Sequence, residues 1–313
     1  MKRLAVVVPC YNEKDVILLT AEKLKHKVQA LMDNNRIRSD SRILFVDDGS
    51  KDTTWDLIVQ LHEGDPIFSG VKLSRNRGQQ NALLAGLLSA AADFDVTISM
   101  DADLQDDVGV MDQMLDRYDQ GMDVVYGVRK TRGKDTFFKR WSADGFYTFM
   151  QHMGVEIIPN HAEYRLMSQR AVQALGTFQE VNLFIRGLVP LVGFPSDRVY
   201  YDRDQRAAGE TKYSLRKMME LALDGITSFS LRPLRLILSA GVMMMGVGIL
   251  LLFAFLGVRA GGRLINPIFY LIATQVGLTG MMVACLGVVG EYVGKILMES
   301  KQRPRYFIEE RLP

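Results

Sequence analysis

Two carboxylates stand two residues apart in Asp101-Ala102-Asp103-Leu104-Gln105, directly after the apolar run 96–100. At a strand end, such positions project to the same side. Like charges so close repel unless a cation neutralises them. Oxygen ligands favour Mg2+ or Mn2+ over zinc. The four histidines are scattered, so a histidine-based zinc site is not expected. Taken alone, the pattern also reads as a helix N-cap. Two more polar clusters follow apolar runs: Pro9-Cys10-Tyr11-Asn12-Glu13, and Asp47-Asp48-Gly49-Ser50-Lys51-Asp52-Thr53. The latter, alone, also reads as a turn plus helix cap.

Elements of the right kind precede these clusters. Short apolar runs predict strands at 4–9, 42–46, 68–73, 96–100 and 123–127, and helical spacing predicts helices at 15–34, 53–62, 81–92 and 108–120. Alternation at this pace implies an α/β fold with a mainly parallel sheet and helices on both faces. Ligands of such sheets sit at the carboxyl ends of the strands, near the reversal of strand order. The polar clusters collect at those ends.

Charge and hydropathy divide the chain. Its 38 Lys+Arg and 36 Asp+Glu give a net +2, which argues against a nucleic-acid binder carried by bulk charge. Residues 236–258 and 267–290 contain no charge at all. A 23-residue helix, the length of the first run, extends about 35 Å against a hydrocarbon core of about 30 Å. The expected organisation is therefore a soluble domain, 1–225, and a membrane domain, 226–313, with a two-helix hairpin and a C-terminal tail. Two buried core helices are the alternative. Nine Lys and Arg flank the outer ends of the hairpin, while the connection carries only Arg259 and Arg263. That bias predicts a multi-pass protein of the inner (cytoplasmic) membrane, with the catalytic domain and both termini cytoplasmic. The apolar run after Met1-Lys2-Arg3 stops at Pro9, too short for a signal peptide. Cys10 and Cys285 imply no pairing and suit a reducing compartment.

In combination the motifs become specific. VVVPCYNE, VDDGSKDTT, LSRNRGQQNALLAG and MDADLQDD occur in that order, and the chain resembles the family 2 glycosyltransferases, of GT-A fold. AEYRLMSQR, NLFIRG, RAAGETKYS, ITSFSLRPLR and GVVGEYVGKILMESKQRPRY extend the likeness to the polyprenyl-phosphate glycosyltransferases, including the bactoprenol glucosyltransferase and dolichyl-phosphate mannosyltransferase types. The resemblance implies a nucleotide-sugar donor (UDP-glucose first), a polyprenyl phosphate acceptor at the bilayer, and a homo-oligomer.

The resemblance also implies roles. Pro9, Tyr11, Glu13 and Asp48 line the base and ribose pocket, with Asp101 near the ribose and diphosphate. Asp103 and Gln105 hold Mg2+ or Mn2+. Arg129, Arg206 and Lys212 suit phosphate oxygens of donor or acceptor, surface solvation being the plain alternative for the arginines. The chain departs from the family at Glu163-Tyr164-Arg165, where Asp-Phe-Arg is usual. Glu163 is thus a candidate base whose carboxyl is displaced by an added methylene, or else a structural ion-pair partner of an arginine. Aromatic and basic residues at 137–150 and 213–229 are candidates for interfacial helices. A processive polysaccharide synthase is disfavoured by the absence of Gln-x-x-Arg-Trp, and a silent scaffold by the intact Asp101, Asp103, Gln105 and Arg206.

Overall fold

The computed structural model describes residues 1–130, 161–180, 183–202, 234–241, 243–244, 246, 250, 253 and 267–313. These fall in two compact units. The first includes the described residues up to 202 together with Arg303–Pro313, and the second the described residues 234–302.

The first unit runs β1 (Leu4–Cys10), α1 (Ile17–Asp33), β2 (Arg42–Asp47), α2 (Thr54–Gly64), β3 (Phe68–Leu73), α3 (Gln79–Ala90), β4 (Val96–Ser99), α4 (Val110–Asp119), β5 (Val124–Arg129), β6 (His161–Ser168), α5 (Gln169–Thr177), α6 (Ile185–Leu191) and β7 (Ser196–Tyr201), and it ends with β8 (Ile308–Leu312). The eight strands form one sheet of order β7-β5-β6-β4-β1-β2-β3-β8. β1 lies between β2 and β4, parallel to both, with Val6 opposite Ile43 and Ile98. β6 and β8 run antiparallel to their neighbours. The sheet is therefore mixed but mainly parallel, as expected: β1–β5 and β7 run one way, and β6 and β8 the other.

Every residue of β1 is buried, as expected of a central strand covered on both faces. α1 buries Ile17, Ala21, Leu24, Val28 and Leu31, the three- and four-residue spacing of one helix face. A fully buried aliphatic side chain of this kind contributes roughly 1.5–3 kcal/mol. Gly86 lets α3 lie close on the sheet, because a Cβ there would come within 2.5 Å of Val7 and Val46 side-chain atoms.

The first five strands and first four helices fall where the sequence expects them, with ends displaced by at most two residues. Residues 303–313, expected as a tail, return to the sheet instead. Ile308–Leu312 pairs with β3, Trp55 Nε1 donates to Glu310 Oε2 at 3.1 Å, and Lys72 Nζ lies 3.4 Å from Glu309 Oε1.

In the second unit, α7 (Pro267–Ser300) is a single helix of 34 residues, longer than the expected span 267–290. Its stretch Leu278–Ser300 is long and apolar enough to cross a membrane. Leu271, Leu278, Met282, Leu286, Val293 and Ile296 are exposed, as lipid-facing residues would be. Residues 234–241 are helical, and Leu236, Leu238, Met243, Leu250 and Phe253 are exposed. The remainder of 236–258, the connection 259–266 and the candidate interfacial segments 137–150 and 213–229 lie outside the described residues.

Candidate active site

Strand order reverses at β1: the chain passes to β2 and β3 on one side, then to β4 on the other. The carboxyl ends of β1 and β4 therefore flank the crevice where open α/β sheets bind ligands. Tyr11 and Glu13 follow β1; Asp101 and Asp103 follow β4. The loops after β1 and β2 are stitched together. Asn12 N donates to Ser50 Oγ at 2.9 Å, Glu13 N to Thr54 Oγ1 at 2.9 Å, and Lys51 N to Asn12 Oδ1 at 2.8 Å. Asp48 is buried and accepts from Arg77 N and Gly78 N at 2.7 and 2.8 Å. It thus ties the β3–α3 loop to the rim of the crevice. Burial pushes its carboxyl upward, against the pull of these two hydrogen bonds. Gly49, at φ +65°, packs against that loop: a Cβ would come within 2.6 Å of the Arg75 carbonyl carbon.

The Asp101–Gln105 loop is held from several sides. Thr20 Oγ1 donates to Ala102 O at 2.7 Å, Gln79 Nε2 to Asp101 Oδ1 at 2.6 Å, and Gln105 N to Asp103 Oδ1 at 3.3 Å. Leu104 adopts φ +55°, a left-handed conformation that costs a non-glycine residue about 1–2 kcal/mol. Burial and then the carboxylates of Asp106, Glu163 and Asp103 push Asp101 up to about 7, while Arg186 pulls it down. Crowded oxygen donors of this kind fit a divalent cation. Among the described residues, no three His, Cys, Asp or Glu side chains converge as a full ligand set. Mg2+ is usually held by only one or two carboxylates, with substrate phosphates completing its shell. Asp101, Asp103 and Gln105 suit such a site.

Two arginine clusters border this loop. Arg129, at the end of β5, directs Nη2 and Nε to Asp106 Oδ1 at 2.9 and 3.3 Å, and the Tyr201 hydroxyl donates to the same oxygen at 2.6 Å. Asp106 is 1% exposed and its Oδ2 has no partner among the described residues. On β6, Glu163 is buried and Arg165 fully so. Arg165 sits opposite Ser99 of β4, and Ser99 Oγ donates to Glu163 O at 2.6 Å, which brings Glu163 beside the end of β4. The Glu163 carboxylate is engaged by Arg165 Nη2, by Arg186 Nε at 2.7 Å and by Gln80 Nε2 at 2.9 Å. Burial alone would raise its pKa, but Arg165 and Arg186, with the hydrogen bonds, bring it down to about 2.

Pro9, Tyr11, Glu13, Asp48, Asp101, Asp103, Gln105, Arg129 and Glu163 therefore all lie on the carboxyl edge of the sheet. Arg206 and Lys212 lie outside the described residues. Gln79, Gln80, Asp106, Arg186 and Tyr201 complete the local networks and carried no expected role. Gln79 and Gln80 stand in LSRNRGQQNALLAG, and Arg186 in NLFIRG, so the motifs marked the segments without marking these side chains. Two shallow clefts lie at the opposite edge, where Lys2 pairs with Asp119 and Arg36 with Asp116. Those charges neutralise one another, and the carboxyl ends of β1, β2 and β4, with their polar clusters, lie at the other edge.

Comparison with known proteins places the chain. Residues 5–176 match the Glycosyl transferase family 2 domain. The chain is 44% identical over 313 residues to the uncharacterized glycosyltransferase YkoT of Bacillus subtilis strain 168, covering 98% of this chain and 91% of that protein. It is 33% identical to the prophage bactoprenol glucosyl transferase homolog of Escherichia coli K12, covering 98% of both chains. It is also 33% identical to the bactoprenol glucosyl transferase of Shigella phage SfV, again covering 98% of both chains. A solved structure, mannosyltransferase PcManGT from Pyrobaculum calidifontis, is 17% identical with a TM-score of 0.49, covering 93% of this chain and 87% of that one. The chain belongs to glycosyltransferase family 2. It is a glycosyltransferase built on a mixed sheet of GT-A type.

Proposed function

We propose that this enzyme transfers a hexose from a nucleotide sugar to a polyprenyl phosphate at the cytoplasmic membrane face, with glucose from UDP-glucose as the first donor to try. The observation that carries this reading is the match to proteins named bactoprenol glucosyl transferase over 98% of both chains, the apolar C-terminal region included.

The acceptor, a phosphate monoester with a second pKa of about 6, is largely dianionic at pH 7. One of its oxygens attacks the anomeric carbon as the bond from that carbon to the nucleoside diphosphate breaks. Attack opposite the leaving group inverts the anomeric centre, through an oxocarbenium-like transition state. Pro9, Tyr11 and Glu13 orient the nucleoside, and Asp48 keeps the neighbouring loops in place. Asp103 and Gln105, beside Asp101, would hold Mg2+ or Mn2+, which would supply neutralisation of charge on the diphosphate. Because the acceptor is already anionic, the task of the chain's own residues is to bring two phosphates together rather than to remove a proton. Arg206 and Lys212 join that task on the strength of the family resemblance.

The hairpin is supported by connectivity. β8 returns to the sheet that begins with β1. Any bilayer crossing between residues 202 and 303 must therefore be matched by a second one. On this reading, with α7 crossing, the charge-free run 236–258 is the candidate partner span, and the excess of Lys and Arg at the outer ends favours a cytoplasmic catalytic unit.

The test uses purified full-length protein in detergent with a short polyprenyl phosphate and, in separate reactions, UDP-glucose, UDP-galactose, UDP-GlcNAc and GDP-mannose. Mass spectrometry should find one hexosylated lipid with release of nucleoside diphosphate. No glycosylated lipid with any donor overturns the reading.

A further inference from the structure

Asp106 directly follows Gln105, yet its carboxylate does not serve the Asp101–Gln105 loop. Its bonds among the described residues reach instead to two strand ends. Oδ1 takes Arg129 Nη2 at 2.9 Å, Arg129 Nε at 3.3 Å and the Tyr201 hydroxyl at 2.6 Å, while Oδ2 takes none. Arg129 and Tyr201 stand opposite each other in the parallel pairing of β5 with β7, and Lys130 N donates to Tyr201 O at 2.9 Å. Neighbouring strands thus deliver both side chains to a single carboxylate oxygen.

The surroundings support this arrangement. The Tyr201 ring packs edge-on against Tyr164, with centroids 5.5 Å apart, and the Tyr164 hydroxyl donates to Asp107 O at 3.1 Å. Gly127 leaves the space, since a Cβ there would come within 3.1 Å of the Tyr201 ring. The Asp106 side chain is 1% exposed and that of Arg129 25%. A buried ion pair recovers the cost of desolvation poorly, so stability is a weak reason for its presence. Its effect here is geometric: it ties a guanidinium to the residue next to Gln105. Nε and Nη2 share one oxygen, and Nη1 takes no part in these bonds.

We propose that Asp106 is a positioning residue: through Arg129 it aims the Nη1 donors at a phosphate oxygen received beside Asp103 and Gln105, with Tyr201 as a second brace. The assignment rests on the transfer proposed above, whose donor diphosphate and acceptor phosphate are the two sources of such an oxygen. The pair is balanced in charge, so its contribution is direction. A planar guanidinium held along one side offers its remaining N–H groups in a fixed fork, and less freedom is lost when they bond.

The experiment uses the full-length protein with a short polyprenyl phosphate and the most active of the four nucleotide sugars. Wild type, Asp106→Asn, Arg129→Gln and the double variant are compared in kcat/KM and KM for the acceptor. Calorimetry gives their affinity for the matching nucleoside diphosphate with Mn2+, and a titration gives the Mn2+ concentration at half-maximal rate. Arg129→Gln should lower kcat/KM about tenfold or more, the scale of a lost charged hydrogen bond. Weaker nucleoside diphosphate binding in that variant identifies the donor as the source of the oxygen, and a raised acceptor KM identifies the acceptor. Asp106→Asn keeps the shape and loses the charge; it should cost about tenfold, within the ~100-fold that a misplacement of ~1 Å brings. In the Arg129→Gln background the same change should cost less than about twofold, because a residue acting through another has no effect once the other is gone. Its Mn2+ requirement should match wild type. An equal cost of Asp106→Asn in both backgrounds, or a higher Mn2+ requirement, overturns the assignment, since the carboxylate then serves the fold or the cation loop. So does an Arg129→Gln enzyme with wild-type kinetics. If Asp106→Asn does not fold, Tyr201→Phe, which keeps the ring against Tyr164, takes its place in the same cycle, with loss expected only where Arg129 is present. A wild type that makes no lipid product with any of the four donors overturns the transfer reading and this assignment with it, whereas an active wild type with additive variants overturns only the assignment.

Discussion

Arg129 Nη2 lies 2.9 Å from Asp106 Oδ1, an oxygen that also receives the Tyr201 hydroxyl. The arginine expected to meet phosphate thus has a buried carboxylate holding its fork. Burial works against its charge, but Asp106 and Tyr201 more than compensate, so the guanidinium stays protonated throughout any usable pH range. Removing one partner of a buried pair leaves the other charge uncompensated, which costs about 3 kcal/mol. Asp106→Ala should therefore lower the thermal midpoint of the full-length protein by several degrees. A wild-type midpoint would show that the pair is of no structural consequence.

Glu163 predicts an acid-side loss of stability. Its folded pKa, about 2, lies below the ordinary glutamate value of about 4.3. The contribution is present above pH 4.3 and disappears as pH falls toward 2. It is on the order of 3 kcal/mol. Midpoints of wild type and Glu163→Gln should differ at pH 6 and converge only as pH falls toward 2. A gap independent of pH would contradict the ion-paired carboxylate.

Gly49 combines φ +65° with a Cβ position only 2.6 Å from the Arg75 backbone. Gly49→Ala should cost more than about 2 kcal/mol and shift the β3–α3 loop. Calorimetry with UDP-glucose should show weaker donor binding; unchanged binding and stability would mean that the loop yields at no cost.

The strand β8 covers the edge of β3, with Leu312 over Gly70 beside Ile58 and Trp55. Ending the chain at residue 307 exposes that edge to pairing with other copies. Size-exclusion chromatography should show aggregation and a lower melting point, while monomers that remain keep donor affinity. A monodisperse truncated protein of normal stability would refute the capping role.

Asp103→Asn should reduce turnover by about 100-fold or more, the scale of a lost transition-state charge contact. A chelator should abolish nucleoside diphosphate release, and added Mn2+ should restore it. Full activity in chelator would end the divalent-cation reading.

The strands β1 to β5 were readable from residue order because each is an apolar run that stops at a turn-forming cluster. The carboxylates that stand at those stops were readable for the same reason. Near α3 the reading began to fail. The expected helix started at 81, but Gln79 and Gln80 form its first turn and hold Asp101 and Glu163. β6 places Glu163 and Arg165 in a buried strand, where polarity argues for a surface position. Their burial is tolerable because Arg186 and Gln80 arrive from other elements. β8 reads IEERL, a charged tail whose strand character depends on the open edge of β3.

Residue order alone settled the alternation of strands and helices, the placement of acidic residues at strand ends and the long apolar runs, since each is carried by periodicity within a few turns of chain. Tertiary structure assigned the partners: Asp106 to Arg129, Glu163 to two arginines, and the last strand to the third. Those pairings join positions from 2 to more than 230 residues apart. Their energies depend on burial and on distance in space, and neither is written in local sequence spacing.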